Sequence, residues 1–286
     1  MPLLGWIILF TAVGGIASAA FAGLFLLLPE QTGLRLLPHF VSFATGALIG
    51  AALLGLLPEA VEAVGPGGAH SIGIALVAGL GVFFIIEKLV LWRHAHSHEH
   101  EDLEAHADHG HGHAHKAPSG FDAHGHAHSH GHNHSHEGAS GVLVLIGDSI
   151  HNALDGILIA AAFLTSIPLG LVTTLAVAAH EIPHRVGDFA LLLHAGMSRQ
   201  RAMFLNMATG LASVLGGIVA YFGLNRAQHA LPYALALAAA GFLYIAVAGL
   251  IPGLHRRADP RTSLAQVLLM GIGVGIIAVA ESLTRH

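Results

Sequence analysis

Apolar runs of about twenty residues or more recur eight times along this chain, at 3–28, 38–62, 71–92, 141–165, 168–195, 200–223, 230–252 and 263–283. Runs of that length with so few charges belong in the hydrocarbon core of a bilayer. No water is present there to meet stray backbone N–H and C=O groups, so each run must close its hydrogen bonds on itself as a helix. Composition agrees. The 286 residues are 54% hydrophobic and 10% charged, whereas a soluble domain carries roughly 25% charged residues. The chain reads as an all-α integral membrane protein, a bundle of eight transmembrane helices, and no nucleic-acid partner is expected. Ala17-Ser18-Ala19 has the look of a leader cleavage site. No Lys or Arg precedes it, however, and the apolar run continues to Leu28, so the first span is expected to be retained.

Most links between spans are short and hold Pro, Gly or charge, as at Pro29-Glu30, Gly65-Pro66-Gly67-Gly68, Ser166-Ile167-Pro168 and Ser198-Arg199-Gln200-Arg201. Short links make consecutive helices antiparallel neighbours. Many of the 36 glycines fall inside spans, Gly46, Gly50, Gly55, Gly216, Gly217, Gly271, Gly273 and Gly275 among them. In lipid, such small residues let helix backbones approach one another. Lys and Arg set the expected orientation. Nine of them (Arg35, Lys88, Arg93, Lys116, Arg199, Arg201, Arg256, Arg257 and Arg261) flank one side and two (Arg226 and Arg285) the other. The richer side is expected to be cytoplasmic, with both termini outside, in a plasma or inner membrane.

The one long link, 93–140, separates spans 1–92 from spans 141–286 within a single transmembrane domain. It carries 16 histidines, many as His-x-His, spaced by Gly, Ala and Ser. Such a segment has nothing with which to build a core and is expected to be a disordered cytoplasmic loop. Its imidazoles are expected to bind divalent metal weakly and at many places. Cys is absent, so thiolate ligands are excluded everywhere in the chain.

Two polar boxes interrupt the apolar pattern. Span four holds His151-Asn152-Ala153-Leu154-Asp155-Gly156, preceded by Asp148; span five holds His180-Glu181-Ile182-Pro183-His184-Arg185-Val186-Gly187-Asp188. Residues three and four apart share a helix face, so each box forms a stripe. Counted from the turn near Ile167, Asp155 lies 12 residues before and His180 13 after, while His151 lies 16 before and His184 17 after. At about 1.5 Å per residue the members of each pair sit at matching depths, roughly 18–25 Å from the turn. A charged side chain at a helix centre costs roughly 2.5–3.5 kcal/mol on insertion scales, so Asp155, Glu181 and Arg185 together point to function. Nitrogen and carboxylate donors at one level make an intramembrane divalent-metal site. Asp148 and Asp188 match in depth nearer the cytoplasm and are expected to form an exit station. Pro183 removes one backbone donor and frees the carbonyl of Ala179 beside the ligands.

The sequence His-Asn-x-x-Asp-Gly followed by His-Glu-x-Pro-His-x-x-Gly-Asp resembles spans four and five of the ZIP family of zinc transporters, in the subfamily with the His-Glu-x-Pro-His box. The resemblance covers nearly the whole chain and implies transport of Zn²⁺ toward the cytoplasm, with Fe²⁺, Mn²⁺ and Cd²⁺ as further candidates. It implies His151, Asn152, Asp155, His180, Glu181 and His184 as ligands of a two-metal centre, Glu59 at the entrance, and a homodimer. Two departures weaken the second metal position. Arg185 stands where many relatives carry Glu and is expected to pair with Asp148 or Asp188, and Asn206 and Thr209 stand where some relatives have a carboxylate. Two rival readings remain. One is an intramembrane zinc protease using His180-Glu181-x-x-His184, against which stand Pro183 and the order of the boxes. The other is a cation-diffusion-facilitator exporter, against which stands the number of spans.

Overall fold

A computed structural model describes residues 1–25, 27–107, 134–255 and 260–284. Its helices follow the eight apolar runs. Helix α1 comprises Leu3–Ala12, a π-helical stretch Val13–Ala17 and Ser18–Phe25. Helix α2 comprises Glu30–Gly50, a π-helical stretch Ala51–Leu56 and Leu57–Val64. Then come α3 (Ala69–Ala107), α4 (His134–Thr165), α5 (Ile167–His194) and α6 (Arg199–Arg226). Helix α7 comprises Leu231–Tyr244, a π-helical stretch Ile245–Leu250 and Ile251–His255; α8 spans Pro260–Thr284. Six of these spans are long and apolar enough to cross a membrane by length and composition alone. The two outside that set are α4 and α5, the helices whose hydropathy is lowered by the polar boxes.

Helix ends fall where local chemistry places them. Ser166 caps α5, its hydroxyl accepting the amide of Leu169 at 3.2 Å, with Pro168 in the first turn. The other end of α5 closes on Gly196 at φ +78°, with the amide of Met197 bonded to the carbonyl of Leu192 at 3.1 Å. That left-handed residue is one that glycine adopts without strain. Helix α2 begins eight residues earlier than hydropathy indicates, because Pro29 sets its start and the polar first turns precede Pro38. Inside the helix, Ser42 returns its hydroxyl to the carbonyl of Pro38 at 2.8 Å.

The link between α3 and α4 lies where the sequence puts it, but the flanking helices run into it, to Ala107 and from His134. Ala, Glu and Leu between Arg93 and Ala107 are good helix formers, which explains the extension. The disorder and metal contact expected of the central histidines, His109 through His132, fall outside the described residues, as do Lys116, Arg256, Arg257 and Arg285.

The bundle sorts into two groups. Helices α1, α4, α5 and α6 pack on one another; α2, α3, α7 and α8 form the other set, α2 against α8 and α3 against α7. Helix α5 spans the two groups by also packing against α2. The closest crossing joins α4 and α6. A Cβ at Gly156 would run into the backbone carbonyl of Ser213, and one at Gly216 into the carbonyl of Ala153. Two glycines at one crossing thus let the backbones touch, which fixes α6 beside the polar stripe of α4.

Candidate metal centre

The two boxes meet. Among the described residues, His151 and Asp155 of α4 with His180 and Glu181 of α5 each direct one donor atom into a common space, all four within 4.8 Å of one another. His180 Nε2 lies 3.4 Å from Asp155 Oδ2 and 3.4 Å from His151 Nε2. His151 Nε2 lies 3.5 Å from Glu181 Oε1 and 3.8 Å from Asp155 Oδ2. Four donors at about 2.0–2.1 Å from a tetrahedral zinc ion stand about 3.3 Å apart, so these edges need little closing to hold one ion. Asp155, His180 and Glu181 are buried, and His151 is half-buried.

Two observations say that the space suits a cation. Asp155 Oδ2 and Glu181 Oε1 are buried carboxylate oxygens with no hydrogen-bond donor. A buried anionic oxygen left bare is costly, and a bound cation removes that cost. His180 is also oriented for ligation: Nδ1 lies 3.2 Å from the carbonyl of Ala176, a bond in which the nitrogen donates. That leaves Nε2 with its lone pair toward the cluster, the usual outer-shell arrangement of a metal-binding histidine. The ring of Phe242, on α7, stands edge-on to His180 at 6.3 Å and walls the site from the second helix group.

The remaining sequence-derived residues are distributed around this core. His184 stacks its ring on His151, at 5.1 Å between centroids, but its Nδ1 turns away, to 2.9 Å from Asp188 Oδ2 and 4.0 Å from Asp148 Oδ1. His184, Asp188 and Asp148 thus make a second possible ligand group, with His184 exposed to 43%. Asn152 is occupied at both ends. Its amide donates to the carbonyl and to Oδ1 of Asp148, at 2.7 and 2.9 Å, and its Oδ1 accepts from Arg185. Glu59 is half-buried in the last segment of α2 and belongs to neither group.

Arg185 is fully buried. Its Nε donates to Glu181 Oε2 at 2.7 Å and its Nη1 to Asp148 Oδ2 at 2.7 Å. The same Nη1 lies 2.8 Å from Asn206 Oδ1 and 2.5 Å from Thr209 Oγ1 on α6. Asn206 returns a bond from its amide to the carbonyl of Arg185 at 3.1 Å. Of the two partners expected for this arginine, the structure selects Asp148 and adds Glu181, a residue one turn back on its own helix. The carbonyl of Ala176 and the ring of Phe242 were not singled out by sequence. Ala176 stands four residues before His180, the spacing from which its carbonyl could have been suspected.

Comparison with known proteins gives one direction. The family model described as ZIP Zinc transporter matches residues 3–281. Zinc transporter ZIP13 of Danio rerio is 31% identical over 271 residues, covering 88% of this chain and 78% of that protein. Zinc transporter ZIP13 of Mus musculus is 35% identical over 265 residues, covering 88% of this chain and 72% of that protein. Zinc transporter ZIP4 of Homo sapiens is 40% identical over 132 residues, which is 46% of this chain and 20% of that protein.

Proposed function

The chain belongs to the ZIP family of zinc transporters, and from that premise we propose that it carries Zn²⁺ across the membrane toward the cytoplasm, with His151, Asp155, His180 and Glu181 holding the ion midway. The observation that carries this reading is the pair of bare buried oxygens, Asp155 Oδ2 and Glu181 Oε1, facing two imidazoles. Imidazole favours Zn²⁺ over Mg²⁺ and Ca²⁺, whereas Fe²⁺, Mn²⁺ and Cd²⁺ remain acceptable cargo.

Movement of the ion follows from the helix groups. The ligands all sit on α4 and α5, in one group, while Phe242 closes the site from the other. A shift of one group against the other opens the site to alternate sides. Glu59, at the outer end of α2, draws cations in. His184, Asp188 and Asp148 receive the ion on the cytoplasmic side, where the positive-inside bias places the ends of α4 and α5 near Arg199 and Arg201. Asn152 and His184 complete the ligand shell as the ion moves between the two groups. The protein works as a homodimer of the His-Glu-x-Pro-His subfamily in a plasma or inner membrane, both termini outside, and its His-rich link gathers ions at the cytoplasmic mouth.

Transport, not peptide hydrolysis, is the activity on this reading. Both oxygens of Glu181 are then spoken for, Oε1 facing the ion space and Oε2 accepting from Arg185 at 2.7 Å, which leaves none to act as the general base of a His-Glu-x-x-His site. Proteoliposomes loaded with a zinc-responsive dye test this directly, with peptide hydrolysis followed in the same preparation. Zn²⁺ entry that excess Mg²⁺ does not suppress is expected. Hydrolysis without entry would replace the reading with the protease.

A further inference from the structure

Among the described residues Arg185 is the largest side chain that is completely buried, and it lies inside a polar set that three carboxylates dominate. Asp148, Asp155 and Glu181 are each at most 5% exposed, so all three charges must be balanced within the protein. The guanidinium cancels one of them. The two that remain are what a single divalent ion cancels when the ligating imidazoles are neutral. A second divalent ion would leave these four side chains and two ions two charges positive; the next carboxylate, Asp188, has its side chain 18% exposed and lies 2.9 Å from His184, on the open side of the set.

Geometry gives the same division. Glu181 has its two oxygens on opposite duties: Oε1 is bare and faces His151 at 3.5 Å, while Oε2 accepts from Arg185 at 2.7 Å. Asp148 has its Oδ2 on Arg185 as well, and Asn206 and Thr209 turn their side-chain oxygens to the same guanidinium. The donors around Arg185 are therefore two carboxylates, an amide and a hydroxyl, the oxygen-rich surroundings that a hard cation takes. The position is filled, and the filler is tethered to α5.

We propose that Arg185 is a built-in cation standing in a second metal position, so that the intramembrane centre binds one transported ion and Glu181 offers that ion a single oxygen. This rests on the proposed metal centre and deepens it: the arginine sets how many ions are bound, not whether one is bound. It acts through Glu181 and Asp148 and is a positioning residue. Its planar fork, with donors fixed toward both carboxylates, suits it to a place where a hydrated ammonium would fit less well.

The test is to count zinc. Full-length wild type, Arg185→Glu, Arg185→Lys and Arg185→Met are equilibrated with Zn²⁺ and the bound metal per chain is measured by mass spectrometry. The His-rich link contributes equally to all four, so differences report the centre. Arg185→Glu should gain one ion over wild type, and its melting temperature should rise with added zinc by more than that of wild type. Arg185→Met, which removes the charge and leaves the oxygens of Asp148, Glu181, Asn206 and Thr209, should gain an ion as well, whereas Arg185→Lys, which keeps the charge, should gain none. No gain in Arg185→Glu overturns the proposal, because a purely structural arginine would leave the count unchanged. A second measurement needs no variant. A zinc-edge anomalous map of wild type should show one peak, between His151, Asp155, His180 and Glu181, with the guanidinium still between Glu181 and Asp148. Two peaks there overturn the built-in cation while leaving the transport site intact. No peak overturns the transport site itself.

Discussion

His180 Nε2 stands 3.4 Å from Asp155 Oδ2 although the two residues come from different helices, α5 and α4. Both side chains are buried, and that oxygen has no hydrogen-bond donor. Around this contact the other donors are arranged, His151 one turn from Asp155 and Glu181 beside His180. Removing the carboxylate charge while keeping its shape tests the contact. Asp155→Asn should weaken zinc binding at the centre by about tenfold or more, since outer partners alone are worth 10–100-fold. Isothermal titration of Asp155→Asn against wild type in detergent, with the His-rich link present in both, reads the loss of the tightest phase.

Proton competition gives a second expectation. Zn²⁺ binds neutral imidazole and ionised carboxylate, so every ligand of the centre must shed its proton before it ligates. Lower pH therefore opposes loading, and higher pH favours it until the ligands are all free. Uptake measured at fixed outside zinc should fall progressively as the outside pH is lowered and should recover on return to neutral pH.

The proposed exit group yields a kinetic prediction. His184 Nδ1 lies 2.9 Å from Asp188 Oδ2, and Asp188 takes no part in the four-donor centre. Asp188→Asn should slow release of zinc to the cytoplasmic side while leaving its capture near wild type. Stopped-flow loading and single-turnover efflux separate the two steps, and equal slowing of both would contradict the role.

Packing makes a fourth claim, independent of metal. A Cβ at Gly156 would collide with the backbone carbonyl of Ser213, which cannot move without shifting α6. Overpacking of that kind costs about 1–3 kcal/mol. Gly156→Ala should lower the melting temperature of the metal-free protein. Gly187→Ala, on the same helix as His184 but with open space at its Cβ, should not.

Much of this was legible in the chain beforehand, and the reasons are specific. The spans could be drawn because a bilayer leaves the backbone few choices. Asp155 and His180 could be matched because both are counted from one tight turn at Ser166 and Ile167, and a helix rises evenly. Their contact is what that counting anticipated. The sharing of ligands was not legible. His180 and His184 share a face and could reach one ion, yet His184 turns its Nδ1 to Asp188 Oδ2 at 2.9 Å, a rotamer that spacing does not determine. Asn152 follows His151 directly and is rotated about 100° from it. It consequently meets Asp148 and Arg185 and leaves the four-donor space to its neighbours. Arg185 was placed by depth near Asp148, but its bond to Glu181 depends on a rotamer that spacing does not determine. The long α3 and α4 extensions were also hidden, because histidine-rich sequence between good helix formers carries no apolar period to reveal them.

Initial rates of ⁶⁵Zn²⁺ uptake into sealed vesicles, for wild type beside His180→Ala at equal amounts of folded protein, bear most directly on the site. His180 gives its Nε2 to the ion space and has its Nδ1 fixed by Ala176, so nothing nearby replaces it. Uptake in His180→Ala should fall to the level of empty vesicles. Uptake that continues near the wild-type rate would mean that the ion crosses by another route.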